Sequence, residues 1–208
     1  MALIVSIGML GIGLFTFLDE GTQLVPVPIT LSPQPSPSLV DPLPETAKLP
    51  KGCRKQSEQS FVPTRVIVRG IVKTSVLALG VDENDAPAAP PLSQPDIFSW
   101  YKLGRAPGSQ QGNVLLLAHT FSTRPVLGNV LLQKLHQGDL IILKGQTKQQ
   151  RACYRVSVQP VPVEPADYGQ LVYQWYTPAQ LTITVCSDYD QVEREWRTRT
   201  VWFASPVK

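Results

Sequence analysis

The sequence predicts a mainly β chain: a closed β-barrel with few short helices, preceded by an N-terminal hydrophobic helix and a proline-rich linker. Three observations carry that prediction. Residues 1–18 contain no charged side chain, and nine prolines fall between Pro26 and Pro63. From Arg65 onward, short β-prone runs succeed one another with turn formers between them and little helical periodicity.

Taken in order, residues 1–18 (MALIVSIGMLGIGLFTFL) reach the length at which an apolar stretch can cross a bilayer. Gly11 and Gly13 would weaken a soluble helix but are ordinary in a membrane one. No small-x-small cleavage site follows, so an uncleaved single-pass anchor is expected in preference to a cleaved signal peptide. Residues 19–62 read as an extended spacer, because proline interspersed with Ser, Gln and Thr resists both helix and sheet. Residues 63–208 then carry the barrel. Its strands are expected in RVIVRGIV, SVLALGV, NVLLLAHT, DLIILKG, YRVSVQPV, QLTITVC and TVWFASPV. Turns are expected over 82–91, 105–112, 138–139 and 164–169. The best helix candidate is Val126 to Leu135, ending at His136-Gln137-Gly138.

The whole chain has 208 residues, 43% apolar and 17% charged, with a net charge of +3. One good core is affordable on that length, and hardly two. No basic run interleaved with aromatics appears, which argues against nucleic acid. The small positive balance suits an anionic neighbour such as a lipid headgroup or wall polymer.

Of the three cysteines, Cys186 ends the alternating run LTITVC. Leu181, Ile183 and Val185 share one face of that strand, while Thr182, Thr184 and Cys186 share the other. The sulfur is therefore expected to leave the core and point towards a groove floored by threonines. Alternation in RACYRVSV puts Cys153 on a polar face, where an exposed thiol is better explained by pairing. Cys53 is its one non-catalytic partner, and whether the two bond stays open.

His119 closes the apolar run VLLLAHT, whereas His136 reads as a surface turn residue. Among the late arginines, Arg194 and Arg197 read as loop, and Arg199 opens the alternation Arg199, Val201, Phe203. Together, Cys186, His119 and Arg199 supply a thiol nucleophile, an imidazole acid/base and a guanidinium suited to an oxyanion. No cofactor is called for. Asp82, Glu83, Asn84 and Asp85 could offer oxygen ligands to calcium but lack a calcium-loop pattern, so a solvated turn is expected.

These residues resemble those of sortases, cysteine transpeptidases of the Gram-positive cell surface, over about 63–208. LAHTFSTRP is similar to the family's histidine region, with Ala118 in place of a common glycine. Thr182-Ile183-Thr184-Val185-Cys186 resembles its Thr-Leu-x-Thr-Cys signature, and Trp196 and Arg199 fall where class A members carry a tryptophan and the arginine. PTRVIV, SWYKLGRAPG and Gly112-Asn113-Val114 resemble elements of classes E and F. The resemblance implies cleavage of a Leu-Pro-x-Thr-Gly-like (LPxTG) signal after its threonine through a Cys186 thioester. His119 would protonate the leaving amine and Arg199 would hold the oxyanion or substrate backbone. It implies surface-protein donors, an acceptor amine from a peptidoglycan precursor or a pilin lysine, and a membrane-anchored, extracellular domain. Ala118, Thr120, Thr184, Val192, Trp196 and Trp202 are the expected substrate-binding residues. Leu43-Pro44-Glu45-Thr46-Ala47 itself resembles such a signal with alanine for glycine.

Other chemistries fit less well. A papain-like peptidase places its cysteine before its histidine, and an L,D-transpeptidase carries a Ser-His-Gly-Cys motif absent here. The remaining alternatives are a tethered, non-catalytic barrel that binds wall polymer or peptide, and a cysteine peptidase that hydrolyses rather than transfers.

Overall fold

The computed structural model describes residues 49–50, 52–53, 57 and 59–207. The expected anchor (1–18), most of the linker and the Leu43–Ala47 pentamer lie outside the described residues.

Among the described residues, nine strands and two short helices follow in chain order. They are β1 Arg65–Val68, β2 Val72–Leu79, β3 Phe98–Tyr101, β4 Asn113–Ala118, α1 Leu127–Lys134, β5 Leu140–Lys144, β6 Arg151–Val156, β7 Val161–Val163, α2 Pro165–Val172, β8 Gln180–Asp190 and β9 Glu195–Pro206. The sheet runs β6-β5-β1-β2-β3-β4-β8-β9, and a β6–β9 pairing closes it into an eight-stranded barrel. β9 is long enough to serve two neighbours on its second edge. Its end pairs with β6 (Val156↔Ala204), and its middle with the short β7 (Val163↔Arg199). Most neighbours are antiparallel, but β2–β3 and β4–β8 are parallel.

Closure follows from the pleat. Val114, Leu116 and Ala118 of β4, Leu181, Ile183 and Val185 of β8, and Trp202 and Ala204 of β9 all turn into one core. Each fully buried aliphatic side chain contributes roughly 1.5–3 kcal/mol, so a one-residue slip of any of these strands is strongly disfavoured. α1 adds Leu127 and Leu131 to the same core, and Trp202 Nε1 donates to the Leu135 carbonyl at 3.0 Å, tying the end of α1 to β9.

Several sequence expectations need correction. RVIVRGIV is a hairpin rather than one run: the chain reverses at Arg69-Gly70-Ile71, where Gly70 takes φ +79°. FSWY forms β3, too short and mixed for its period to stand out. The 164–169 turn is the start of α2, with Pro165 at the first helical position and Asp167 in the first turn. Gly169 masked that helix. The strand expected in QLTITVC is longer than that run: β8 continues through Ser187 to Asp190, and the reversal comes at 191–194. Arg197 accordingly lies in β9 and is ion-paired with Asp190, while Tyr189 stacks against Trp196 at 4.9 Å.

Cys153 is the clearest reversal. It is 0% exposed, in a second apolar cluster with Cys53, Leu140 and Ile142. Alternation gave the right face, but that face is covered by the segment carrying Cys53. The two sulfurs form a disulfide across 100 residues, with Cα atoms 5.9 Å apart. Phe61 also packs into the main core. The end of the 19–62 stretch is thus part of the barrel's packing and not free spacer.

Candidate functional site

Three adjacent strands set the level of the site. In the β8–β9 ladder Cys186 lies directly opposite Arg199. Side chains opposed in this way share a face, with Cβ atoms about 4.5–5.5 Å apart. On the other side of β8 the parallel register pairs Ala118 with Val185, so the next step along each chain brings His119 beside Cys186. Residues 119, 186 and 199 therefore meet at one level of β4, β8 and β9. Among the described residues no hydrogen bond yet joins the three side chains, as is common before a substrate is bound.

His119 is placed by its surroundings more than by its own strand. Its Nε2 lies 2.6 Å from the Pro90 carbonyl; a carbonyl only accepts, so Nε2 carries the proton and Nδ1 is the nitrogen left for chemistry. The imidazole stacks at 5.9 Å on Phe121, whose ring lies 5.2 Å below the Arg124 guanidinium. Its carbonyl accepts the Gly128 N–H at 2.7 Å, so the first turn of α1 presses on the His119 backbone. A Cβ at position 128 would stand 2.3 Å from that carbonyl oxygen, so only glycine fits. Asn129 clamps the intervening loop: its Oδ1 accepts the Phe121 and Val126 N–H groups, and its Nδ2 donates to the Phe121 carbonyl. Asp96 caps the same helix by accepting the Leu127 N–H at 3.1 Å.

Cys186 is the free thiol and is half-buried. Thr120 donates its hydroxyl to the Cys186 carbonyl at 2.8 Å, fastening the end of β4 to β8. Burial pushes the thiol pKa up, and the Arg199 charge and the Thr120 hydroxyl oppose that rise. Arg199 Nη1 donates to the carbonyls of Trp196 and Thr198, at 3.3 and 3.1 Å. That contact fixes the fork and leaves its remaining N–H groups for an anionic oxygen.

The remaining sequence candidates separate. Ala118 and Trp202, both expected to bind substrate, are 5% and 1% exposed within the barrel core. Their strand parity is that of Leu181 and Ile183, opposite to Cys186. Val192 stands 86% exposed on the hairpin turn, and Trp196 is occupied with Tyr189. Thr120 acts on the Cys186 backbone. Thr184 shares the face of Cys186, as predicted, and is buried.

Sequence reasoning missed Tyr168. It sits on α2, which packs against β9, and its hydroxyl is buried near Thr184, Arg199 and Cys186. Asn113 holds this helix: its Nδ2 donates to the Val172 carbonyl and its Oδ1 accepts from Thr182, both at 2.7 Å. The Asp82 turn is closed by its own carboxylate, which accepts the Asn84 and Ala86 N–H groups. Among the described residues, no group of three or more His, Cys, Asp or Glu gathers to hold a metal.

Fold and site together define a closed β-barrel with a half-buried thiol, an oriented imidazole and a guanidinium at one rim. The family model for the Sortase domain matches residues 63–207. The chain belongs to the sortase family. It is 29% identical to sortase A of Staphylococcus aureus over 96 residues, 46% of this chain and 45% of that protein's length. Among solved structures it superposes on sortase C-1 of Actinomyces oris with a TM-score of 0.52 at 18% identity, covering 69% of this chain and 73% of that one. Sortase A of Corynebacterium diphtheriae gives a TM-score of 0.51 at 16% identity, with 72% and 62% covered. At those identities the superpositions speak for the fold.

Proposed function

We propose that this chain is a cell-surface cysteine transpeptidase that cleaves an LPxTG-like signal after its threonine and passes the acyl group to an amine. The observation that carries this reading is the direct cross-strand pairing of Cys186 with Arg199, with His119 one strand away.

In this mechanism the Cys186 thiolate attacks the threonine carbonyl and forms the S–C bond. The oxygen takes up the negative charge beside Arg199, where a fixed guanidinium is worth more than water can offer. As the C–N bond breaks, imidazolium His119 gives a proton to the departing amine and a thioester remains. An incoming amine then attacks, loses its proton to His119 and expels the thiolate. The thioester conserves the peptide bond's energy, so no nucleotide is consumed. The raised thiol pKa means that the reactive ion pair is a minor species of the free protein near neutral pH. The donor proteins, the acceptor (a peptidoglycan precursor or a pilin lysine), membrane anchoring and an extracellular position belong to this proposal.

A labelled LPxTG peptide, incubated with and without an amine acceptor, tests it. Cleavage with ligation is expected, both lost in Cys186→Ala. Cleavage without ligation would favour a hydrolase, and neither reaction across several signal variants would remove the reading.

A further inference from the structure

Charge is unevenly spread along this chain. Seven of its nineteen Lys and Arg, and none of its sixteen Asp and Glu, fall in residues 59–81 and 140–156. Those two stretches hold β1, β2, β5 and β6, which are consecutive in the sheet order β6-β5-β1-β2. One wall of the barrel is therefore cationic, while the rest of the sequence is net acidic.

Register gathers most of these cations at one end of that wall. Lys144 lies directly opposite Arg151 on one side and Arg65 on the other. Lys73 is two residues from Ser75, the partner of Arg65, and so stands diagonal to Arg65 on the same face. Val66, Leu143 and Ala152 fill the barrel core, so the row, of opposite parity, faces outwards. Arg65 and Lys73 are exposed, as is Lys148 on the turn between β5 and β6; Lys144 and Arg151 are half-buried. Arg151 is held by the Gly52 carbonyl, which accepts from its Nη1 at 2.6 Å. Among the described residues, the one ion pair is Arg197 with Asp190, on the β8–β9 hairpin. Like charges opposed across a sheet destabilise it. Lys144 feels them: its pKa is pushed down, first by burial and then by Arg151, Lys73 and Arg65.

This row lies at the end of the barrel remote from the chemistry. Pro206 of β9 pairs with Tyr154, three residues from Arg151. Arg199, opposite Cys186, is seven residues back along β9, roughly 23 Å at the usual strand rise. The cations are spread over a sheet face and a hairpin tip and do not converge on one point, so they suit a layer of charges better than a single anion. None of the outward residues of β1, β2, β5 and β6 is aromatic, which removes the stacking surface that single-stranded nucleic acid uses. Upstream chain joins the same wall through the Cys53–Cys153 bond, and it carries the anchor expected over 1–18. A tether makes docking intramolecular, so a weak face suffices. Near an anionic leaflet each Lys or Arg strengthens association roughly fivefold.

We propose that this face, through Arg65, Lys73, Lys144, Lys148 and Arg151, docks the barrel on an anionic lipid surface with the catalytic rim turned away. The inference goes beyond the proposed acyl transfer and rests on that reading only for the membrane anchor.

The test reconstitutes the full chain in vesicles of phosphatidylcholine, alone or mixed with phosphatidylglycerol, both carrying nitroxide headgroups that quench a fluorophore on near contact. The fluorophore sits either on Cys186 or on Ser75→Cys in a Cys186→Ala background. With phosphatidylglycerol the label at 75 should be quenched and the label at 186 spared; with phosphatidylcholine alone neither should be. Salt near 1 M, where the screening length is about 3 Å, should release the barrel. The triple variant Arg65→Ser, Lys73→Ser, Lys148→Ser should lower the docked-to-free ratio about a hundredfold, at roughly fivefold per cation. Its thermal midpoint should hold or rise, because opposed like charges have been removed. A control of equal net charge, Lys102→Ser, Lys134→Ser, Arg194→Ser, should dock as wild type does. Equal quenching in the two lipids, equal quenching of the two labels, or an equal loss in the control would each overturn the proposal. So would release by soluble polyglycerol phosphate at charge equivalents below those of the lipid, an outcome that assigns the face to a wall polymer. Quenching needs no turnover, so docking by a chain that cleaves no peptide would uphold the face while removing the proposed function. A chain that docks on phosphatidylglycerol but does not float with neutral vesicles would uphold it while removing the anchor.

Discussion

The three cysteine sulfurs of this chain occupy two regions that differ in every respect that governs thiol chemistry. Cys53 and Cys153 are sealed among Leu140 and Ile142, bonded to each other, with Ile67 and Val207 packed around them. Cys186 is half-exposed, unbonded, opposite a guanidinium and beside a histidine, with a threonine on its own carbonyl. One region spends cysteine on restricting the chain and the other keeps it reactive. The difference lies in what covers each strand face, which strand alternation alone does not encode.

The sharpest way to break that contrast is Cys186→Ala, expected to abolish acyl transfer by a thousandfold or more, as a rough order, without lowering the thermal midpoint. Replacing Cys53 and Cys153 with alanine should do the converse. About 2–4 kcal/mol of stability is lost by chemical denaturation, while the rate per folded molecule is retained. Arg199→Gln should cost on the order of a hundredfold in kcat/KM with little change in stability, measured with the labelled peptide. Gly128→Ala should lose about 1–3 kcal/mol and slow acyl transfer besides, because the new methyl pushes on the carbonyl of His119. The smallest effect is in pH. Since burial raises the Cys186 pKa, alkylation by iodoacetamide should grow about tenfold per pH unit and still be climbing at pH 9.0, the ordinary thiol value. The folded chain holds that proton more tightly than the unfolded one. Stability should therefore fall as pH rises from the ordinary thiol value through the raised one.

Much of this was legible in residue order. Alternation in LTITVC assigned both faces of β8 correctly, and the ends of apolar runs marked His119 and Cys186. The α1 helix came out within a residue of its bounds. Failures arose where non-local packing decided. Trp202 reads as a substrate-binding aromatic until the β9 register turns it inward, and Arg199 reads as a strand start until the Tyr189–Trp196 and Asp190–Arg197 pairs extend the hairpin beyond it. Tyr168 left no signal, because a helix opened by proline and interrupted by Gly169 looks like a turn. Pro90 was equally silent, since only its backbone carbonyl meets His119.

The bridge from Cys53 to β6 has a mechanical meaning. A pull applied to the chain upstream of Cys53 enters the barrel covalently at Cys153, in a strand hydrogen-bonded along its length to β5 and at its end to β9. The backbone from 54 to 152 is bypassed, so β1 is spared the role of first strand to be peeled away. Tension is shared laterally between two ladders, loading them in shear. A barrel fastened in this manner can hold its rim in shape when the chain upstream of the bridge is pulled.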